Sequence, residues 1–268
     1  MDSTAIIFVS CLVIGLIVGF LAGMFGIGGG LIIVPALTYL LMSVIGLPLE
    51  LAMPMAIATS LSAIIFTGYS SARAHYKLGN LKRNIVIWSG VGISFGAILG
   101  AQVASSISGA LLKNVFAVMM ILIALQMIFG KRSTSSHQAS RLTLSYIGAG
   151  SGFFSALMGI GGGVLLVPAL TWFQVNMRQA IGCASFCGLV VAVFGTMSFI
   201  VAGLGSPDLP SFTLGYVYLP ATFGIVATSI FTAGVGARVG QKVDTELLKK
   251  LLAGLLILVS IRMIVGMN

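Results

Sequence analysis

Charged side chains are scarce in this sequence. Only 7% of its 268 residues are Asp, Glu, Lys or Arg and 58% are hydrophobic, whereas a soluble domain has about 25% charged residues. So few charges cannot cover a water-exposed surface. Six stretches have no charge, and each exceeds the ~20 helical residues that cross a bilayer; they are residues 3–49, 51–72, 84–112, 142–177, 179–207 and 209–237. The sequence therefore predicts an all-α polytopic membrane protein.

Acidic residues are the rarest charged group. Asp and Glu number 5, and none lies near the middle of a charge-free stretch. Because carboxylates inside the membrane are the usual groups for proton relays and cation sites, their absence there favours an anion as the transported species. Most of the 14 basic residues lie in short segments between predicted helices. They form no basic patch, so no nucleic-acid partner is expected.

Cysteine is also rare, which argues against a metal or redox centre. Cys11, Cys183 and Cys187 lie in apolar stretches, without CxxC spacing or a nearby histidine. Neither a disulfide framework nor a zinc site is indicated. We therefore expect no metal and no cofactor, and we interpret the cysteines as small core residues.

Glycine, in contrast, is abundant, and part of it belongs to a duplicated pattern. Residues 19–38 (GFLAGMFGIGGGLIIVPALT) and 152–171 (GFFSALMGIGGGVLLVPALT) are identical at 12 of 20 positions. Residues 79–130 also align without a gap on residues 215–266. We interpret the chain as two homologous transmembrane repeats, residues 1–130 and 142–268, joined by a polar, basic linker at 131–141 that we expect in the cytoplasm.

Each repeat contains five apolar segments, at about 4–25, 30–46, 50–72, 84–107 and 110–130, then 142–158, 163–176, 178–203, 212–238 and 245–266. If all ten cross, one side receives 12 of the 14 basic residues. The positive-inside rule makes that side cytoplasmic, so both termini, with Asp208, lie outside, and His75 and His137 inside. Five crossings per repeat would invert the halves, as in many transporters. If the short second and seventh segments are re-entrant, the repeats have four crossings each and are parallel.

The sequence GIGGG interrupts an apolar run in each repeat, at residues 26–30 and 159–163. Glycine at this density breaks helices, and broken backbone at membrane depth must face protein, water or a ligand. A helix that restarts after each break offers free N–H groups and a positive dipole end to an anion. By contrast, we interpret the scattered glycines as helix-packing residues; these are Gly15, Gly19, Gly23, Gly92, Gly96 and Gly100.

Hydroxyl groups follow each glycine break. Thr59 and Ser60 follow the first, and Ala184 and Ser185 align with them after the second. Intramembrane hydroxyls can bind an oxyanion, although they also bond to their own helix. We predict an anion site made by Gly28, Gly29, Gly30, Thr59, Ser60, Gly161, Gly162, Gly163 and Ser185, with Gly26, Pro35, Gly159 and Pro168 as structural or gating residues.

The duplicated pattern G-I-G-G-G-x-[LI]-x-V-P, the A-T-S segment and the GYV…GAR…LLK half resemble the TauE/SafE family over essentially the whole chain. The resemblance implies a plasma-membrane permease of the bacterial inner-membrane type that exports sulfite, sulfoacetate or other organosulfonates. It also implies that the two glycine breaks and the region of Ser60 and Ser185 line the pathway. One departure is Cys183-Ala184 where the first repeat has Ala58-Thr59.

Two other functions compete with a secondary transporter that works by alternating access. A passive anion channel uses the same kinds of ligand, although inverted repeats favour alternating access. An intramembrane hydrolase could use Ser151 between Gly150 and Gly152, but a nucleophile needs a base, and both histidines fall in predicted polar loops. We expect no enzyme. The expected partners are a small anion and the bilayer, and a homodimer remains open.

Overall fold

The computed structural model describes residues 3–25, 28–129, 140–206 and 208–265. Each of the ten predicted segments contains a helix, although the ninth, predicted over residues 212–238, becomes helical only at Leu219. The elements are α1 (Ser3–Phe25), α2 (Gly30–Leu40) continued by a π-helical turn (Leu41–Ile45), α3 (Leu49–Lys77), α4 (Arg83–Ser106), α5 (Gly109–Phe129), α6 (Arg141–Met158), α7 (Gly163–Trp172), α8 (Met177–Gly203), β1 (Thr213–Leu214), β2 (Val217–Tyr218), α9 (Leu219–Lys242) and α10 (Thr245–Val265).

Six of the described helices are long and apolar enough to cross a membrane, namely α1, α3, α4, α5, α8 and α9. Two shorter apolar helices are Gly30–Ile45 and Gly163–Trp172. Large apolar side chains are exposed on the outer faces of the spanning helices, for example Phe95 on α4 and Phe231 on α9. Such faces suit contact with lipid, so the chain is a multi-pass membrane protein.

Close helix pairs join the two halves of the chain. Helix α1 packs along α9, and α4 packs along α6. Under the duplication seen in the sequence, α1 corresponds to α6 and α9 to α4, so these two pairs are the same contact made twice. Helices α3 and α8 also pack on each other, as do α5 and α10. The halves are therefore interleaved, and neither repeat buries its helices alone.

Glycines make the close pairs possible. A Cβ atom built at Gly15, Gly19 or Gly23 of α1 would collide with backbone atoms of α9, and one at Gly92, Gly96 or Gly100 of α4 would collide with backbone atoms of α6. Helices that approach so closely gain dispersion contacts and Cα–H···O interactions. The predicted packing role of these six glycines is confirmed.

Helix α3 lies in the centre of the molecule, and residues 52–64 are all buried. It continues past the charge-free stretch to Lys77. His75 is therefore buried in its last turn, with Nε2 3.2 Å from the Gly23 carbonyl oxygen and Nδ1 3.3 Å from Asn80 Nδ2. The prediction that His75 lies in a polar loop is wrong, because the polar residues after position 72 extend the helix. His137 and the linker lie outside the described residues.

The short hairpin β1–β2 was not predicted. Thr213 pairs with Tyr218 and Leu214 with Val217 in an antiparallel register. The hairpin leads directly into α9, whose first residue, Leu219, follows Tyr218. Its position matters because the backbone N–H of Tyr218 reaches the central helix α3, as described below.

Candidate functional site

The two glycine breaks lie against each other in the interior. A Cβ atom built at Gly28 would be 3.0 Å from Cα of Gly161. One built at Gly30 would contact the carbonyl oxygen of Gly159 and lie 2.8 Å from Cα of Ile160. Any side chain larger than hydrogen is excluded by backbone from the other half. Two segments more than a hundred residues apart are thus brought to one place.

The breaks end one helix and start another. Helix α1 ends at Phe25 and α2 begins at Gly30, while α6 ends at Met158 and α7 begins at Gly163. Neither α2 nor α7 has a side chain hydrogen-bonded as an N-cap. The first-turn N–H groups of a helix have no partner within it, and its N-terminus carries partial positive charge. The N-termini of α2 and α7 therefore lie in the same buried region. Gly26 lies outside the described residues.

The two breaks have different backbone conformations despite their identical sequence. Gly28 and Gly29 have φ of 74° and 84°, in the left-handed region that favours glycine. In the second break Gly159 has φ of 68°, but Gly162, which corresponds to Gly29, is right-handed with φ of −52°. The site is therefore not symmetric in this conformation.

Ser60 lies where the two breaks meet. Its hydroxyl donates to the carbonyl oxygen of Gly159 at 2.7 Å, and its Oγ is 2.9 Å from a Cβ built at Gly30. The side chain is fully buried. Helix α3 thus places a hydroxyl group against both breaks, and the predicted role of Ser60 in anion binding stays a prediction.

Ser185 has a different environment. Its hydroxyl donates to the carbonyl oxygen of Ile181 in its own helix at 3.0 Å and accepts a hydrogen bond from Ser71 at 3.3 Å. The Ser71 hydroxyl was not singled out from the sequence, because nothing there marks which serine of α3 faces α8. The described contacts of Ser185 are with α3, while those of Ser60 are with the second break.

Hydrogen bonds define how α3 and α8 correspond. Thr59 Oγ1 accepts the backbone N–H of Tyr218 at 2.9 Å, and Cys183 Sγ accepts the backbone N–H of Lys82 at 3.3 Å. Lys82 and Tyr218 are equivalent in the gap-free match of residues 79–130 with 215–266. Thr59 and Cys183 therefore occupy equivalent positions, and each attaches its helix to the start of the fourth helix of the other half.

This correspondence shifts the expected alignment by one residue. Ser60 corresponds to Ala184, and Ser185 corresponds to Leu61. The pairing of Ser60 with Ser185 inferred from the sequence is therefore wrong. It was chosen because both residues are serine, whereas the structural equivalent of Ser60 is an alanine one position earlier. Thr59 has a structural hydrogen bond in this conformation, and its predicted role in binding stays a prediction.

The prolines lie one helical turn beyond the breaks. Pro35 and Pro168 are inside α2 and α7, where each removes the hydrogen bond to the carbonyl four residues earlier. Pro35 also borders an apolar cavity of about 640 Å³ between α1, α2 and α10. Their gating role stays a prediction.

Among the described residues, no carboxylate is buried with the two glycine breaks. All three described residues of the first break and all five of the second are buried. The acidic residues within the described ranges, Glu50, Asp208, Asp244 and Glu246, are all exposed. Two helix N-termini and a buried serine without a nearby negative group form a setting suited to an anion.

Comparison with known proteins agrees with the resemblance seen in the sequence. Residues 11–263 match the sequence model of the family described as "Sulfite exporter TauE/SafE". The chain belongs to the TauE/SafE family. The matched span contains both glycine breaks.

Relatives of this TauE/SafE chain carry transporter names. A "Probable membrane transporter protein" of Haemophilus influenzae is 41% identical over 260 residues, which cover 94% of this chain and 96% of that protein. "Probable membrane transporter protein YunE" of Bacillus subtilis is 29% identical over 283 residues, with 96% and 97% covered. A similarly named protein of Methanocaldococcus jannaschii is 26% identical over 254 residues, with 91% of each covered. No solved structure matches. Family and relatives indicate a membrane transporter rather than an enzyme.

Proposed function

We propose that this TauE/SafE chain is a secondary transporter that exports small sulfur-containing anions, such as sulfite, sulfoacetate or other organosulfonates, across the plasma membrane. The observation that carries the proposal is the contact between the two glycine breaks, where α2 and α7 both begin. Each helix start directs N–H groups and a positive dipole end toward the same buried region.

The chemistry of this region favours an oxyanion. Backbone N–H groups at the helix starts are hydrogen-bond donors, and oxygen atoms of a sulfonate or sulfite group are acceptors. The Ser60 hydroxyl becomes a further donor when it exchanges its bond to the Gly159 carbonyl oxygen for one to the anion. A buried anion needs several such donors to offset its loss of hydration. The name of the family supports sulfite and its organic derivatives as the class of anion.

Burial of the site supports alternating access. The described residues of both breaks are buried, so an anion reaches them only when helices move. The predicted inverted repeats would provide such a movement, because one half could exchange conformations with the other. The unequal conformations of Gly29 and Gly162 support this proposal, since each break would adopt the other's conformation in the opposite state.

Reconstituted flux tests the proposal. The purified chain in liposomes should give saturable uptake of sulfite, sulfoacetate or taurine, with sulfate and chloride as competitors, and no change when sodium is replaced by potassium. Protein-free liposomes are the control. Saturable cation flux without any anion requirement would contradict the proposal. Anion flux that does not saturate, and that never runs against a gradient, would instead indicate a passive channel.

A further inference from the structure

His75 is a buried titratable side chain that the proposed anion site does not use. It lies in the last turn of α3. Its Nε2 atom is 3.2 Å from the carbonyl oxygen of Gly23, and its Nδ1 atom is 3.3 Å from Nδ2 of Asn80. Gly23 is near the end of α1, and Asn80 lies in the segment between α3 and α4. The ring therefore joins three elements at one end of the molecule.

The two partners determine the protonation state of the ring. A carbonyl oxygen only accepts hydrogen bonds, so Nε2 carries the hydrogen atom that it donates to Gly23. The Gly23 carbonyl is among the last four of α1, which ends at Phe25, and such carbonyls have no partner within their helix. Because the Asn80 Nδ2 group is a donor, Nδ1 accepts and carries no hydrogen. His75 is therefore neutral in this conformation.

The other half of the chain repeats this contact with different side chains. The register of α3 and α8 makes Phe199 the equivalent of His75, and Tyr216 is the equivalent of Asn80 in the gap-free match. The backbone agrees, because the Asn80 N–H donates to the His75 carbonyl oxygen at 3.0 Å and the Tyr216 N–H donates to that of Phe199 at 3.5 Å. The rings of Phe199 and Tyr216 pack edge to face, with centroids 6.5 Å apart. Of the two equivalent contacts, the one at His75 contains the group that titrates near neutral pH.

The two contacts lie at opposite ends of the central helix pair. Ser71, toward the end of α3, bonds to Ser185, toward the start of α8. A Cβ built at Gly195, farther along α8, would lie 2.8 Å from Leu61, which precedes Ser71 in α3. Helices α3 and α8 are therefore antiparallel, and a proton on His75 acts at one end of the pair.

The segment that contains Asn80 is attached to α8. A Cβ built at Gly182 of α8 would lie 2.7 Å from both Cβ and the carbonyl oxygen of Asn80. The Lys82 N–H donates to Cys183 Sγ at 3.3 Å. The bond between His75 and Asn80 thus holds the end of α3 to a segment that is itself fixed on α8. Loss of this bond loosens α3 from α8 at this end.

The charged residues of the helices at this end are basic and exposed, and the described range of α1 has none. They are Arg73 and Lys77 in α3, Lys82 and Arg83 at the start of α4, Arg178 in α8, and Arg238 and Lys242 in α9. Asp244, just after α9, is also exposed. Among the described residues no carboxylate is buried with the ring, so no fixed negative charge holds a proton on it permanently.

We propose that His75 binds a proton and thereby opens the contact between α3 and α8 at this end, which makes transport depend on pH. A proton on Nδ1 changes this atom from an acceptor into a donor, so the bond from the Asn80 Nδ2 group is lost. The bond to Gly23 persists, because Nε2 carries a hydrogen in both states and the end of a helix favours a positive group. The effect on transport rests on the function proposed above, whereas proton binding does not.

Proton binding is measured on the purified full-length chain with His137→Gln, which leaves His75 as the only histidine. Nitrogen NMR of isotope-labelled histidine should show Nδ1 without a hydrogen at about pH 8 and with one at about pH 5, the range in which histidine changes charge. A ring that stays neutral throughout this range would overturn the inference, whatever the chain transports.

Sulfoacetate uptake into liposomes measures the consequence for transport, because the charge of this anion is constant between about pH 6 and 8. Uptake by the unaltered chain should rise about fivefold as the pH falls through this range, as expected for the loss of one hydrogen bond. His75→Phe, which introduces the residue of the equivalent position, should remove the pH dependence. His75→Gln, which keeps a polar side chain, should do the same. Asn80→Ala should give the high uptake already at about pH 8.

His137→Gln is the matched control, because it removes the other histidine and should keep the pH dependence. If the unaltered chain transports sulfoacetate equally well across this range, or if His75→Phe and His75→Gln both keep the pH dependence, this inference is overturned and the proposed function stands. If the unaltered chain transports no sulfur anion, the proposed function fails, and the nitrogen spectra still decide whether His75 binds a proton.

Discussion

At the scale of single residues, the partner of each hydroxyl separates candidate ligands from structural groups. Ser60 bonds to backbone of the opposite break, whereas Ser185 bonds to its own helix and to Ser71. Thr59 holds the start of α9 through Tyr218. Residue type and spacing made the three hydroxyls look alike, but only Ser60 touches both places where helices restart.

Ser60→Ala should weaken anion binding by roughly 1.5–3 kcal/mol, the usual value of one hydrogen bond to a charged group. Titration of sulfite with the purified chain measures this. Ser185→Ala is the matched control and should change affinity less, because the described hydrogen bonds of Ser185 are to Ile181 and Ser71 and not to either break. A larger effect of Ser185→Ala than of Ser60→Ala would contradict this assignment of the site.

Gly19→Ala should destabilise the chain by about 1–3 kcal/mol, the cost of overpacking a filled contact. A Cβ there would lie 2.6 Å from Cα of Ser229, so backbone must move. Gly90→Ala on α4 is the control, since a Cβ at Gly90 meets nothing within 4 Å. Thermal unfolding in detergent compares them. If both variants melt like the unaltered chain, α1 and α9 are not packed as described.

At the scale of helices, the glycine breaks act as paired elements with unequal conformations. The first break needs left-handed backbone at Gly28 and Gly29, whereas Gly162 is right-handed. Only glycine enters the left-handed region without strain. The same substitution therefore has different consequences at two positions that the duplicated sequence makes equivalent.

Gly29→Ala should strain the conformation seen here, by about 1–3 kcal/mol for a non-glycine residue in the left-handed region. Gly162→Ala should be nearly neutral in this conformation, because the nearest atom to its new Cβ is the Val191 side chain, at 3.3 Å. Thermal unfolding of the two variants tests the difference. Equal melting temperatures would argue against the assigned backbone conformations.

Both alanine variants should slow transport if the breaks exchange conformations during the cycle, since Gly162→Ala would then strain the opposite state. Gly29→Leu and Gly162→Leu should abolish it, because a side chain at Gly29 meets Val18 of α1 and one at Gly162 meets Val191 of α8, so a bulky residue must push these helices away from the breaks. Flux in liposomes, with Gly90→Ala as control, provides the measurement. Leucine variants that insert correctly and still bind the anion unchanged would show that the breaks only pack helices.

At the scale of the whole molecule, the helices of the two halves are interleaved around α3 and α8. Positions near the ends of these helices report the orientation of the chain. His75 is unsuitable as a probe because it is buried, but the neighbouring Tyr76 is 71% exposed. Asp208, in the segment after α8, is also exposed.

Single cysteines at positions 76 and 208, in a background without Cys11, Cys183 and Cys187, should be labelled from opposite sides of the membrane. The distribution of basic residues predicts that position 76 lies in the cytoplasm, so an impermeant thiol reagent applied to whole cells should label position 208 alone. Permeabilised cells control for access. Equal labelling of both positions in whole cells would contradict the ten-crossing arrangement with both termini outside.

The sequence by itself determined the class of protein, the ten helices, the positions of the breaks and the packing glycines. These features depend on local composition and on the internal duplication of the sequence. Membrane burial makes such signals strong, since every spanning segment must satisfy its backbone internally. The ends of helices were less certain, as His75 shows: the apolar run stops before α3 does.

Only the tertiary structure decided which residues of different halves touch. It joined the breaks through Gly28 and Gly161, and it gave Ser60 and Ser185 different hydrogen-bond partners. The register of α8 against α3 depends on packing and on two hydrogen bonds from the opposite half, to Thr59 and Cys183. Contacts between segments far apart in sequence leave no local pattern, so no reading of one chain could supply them.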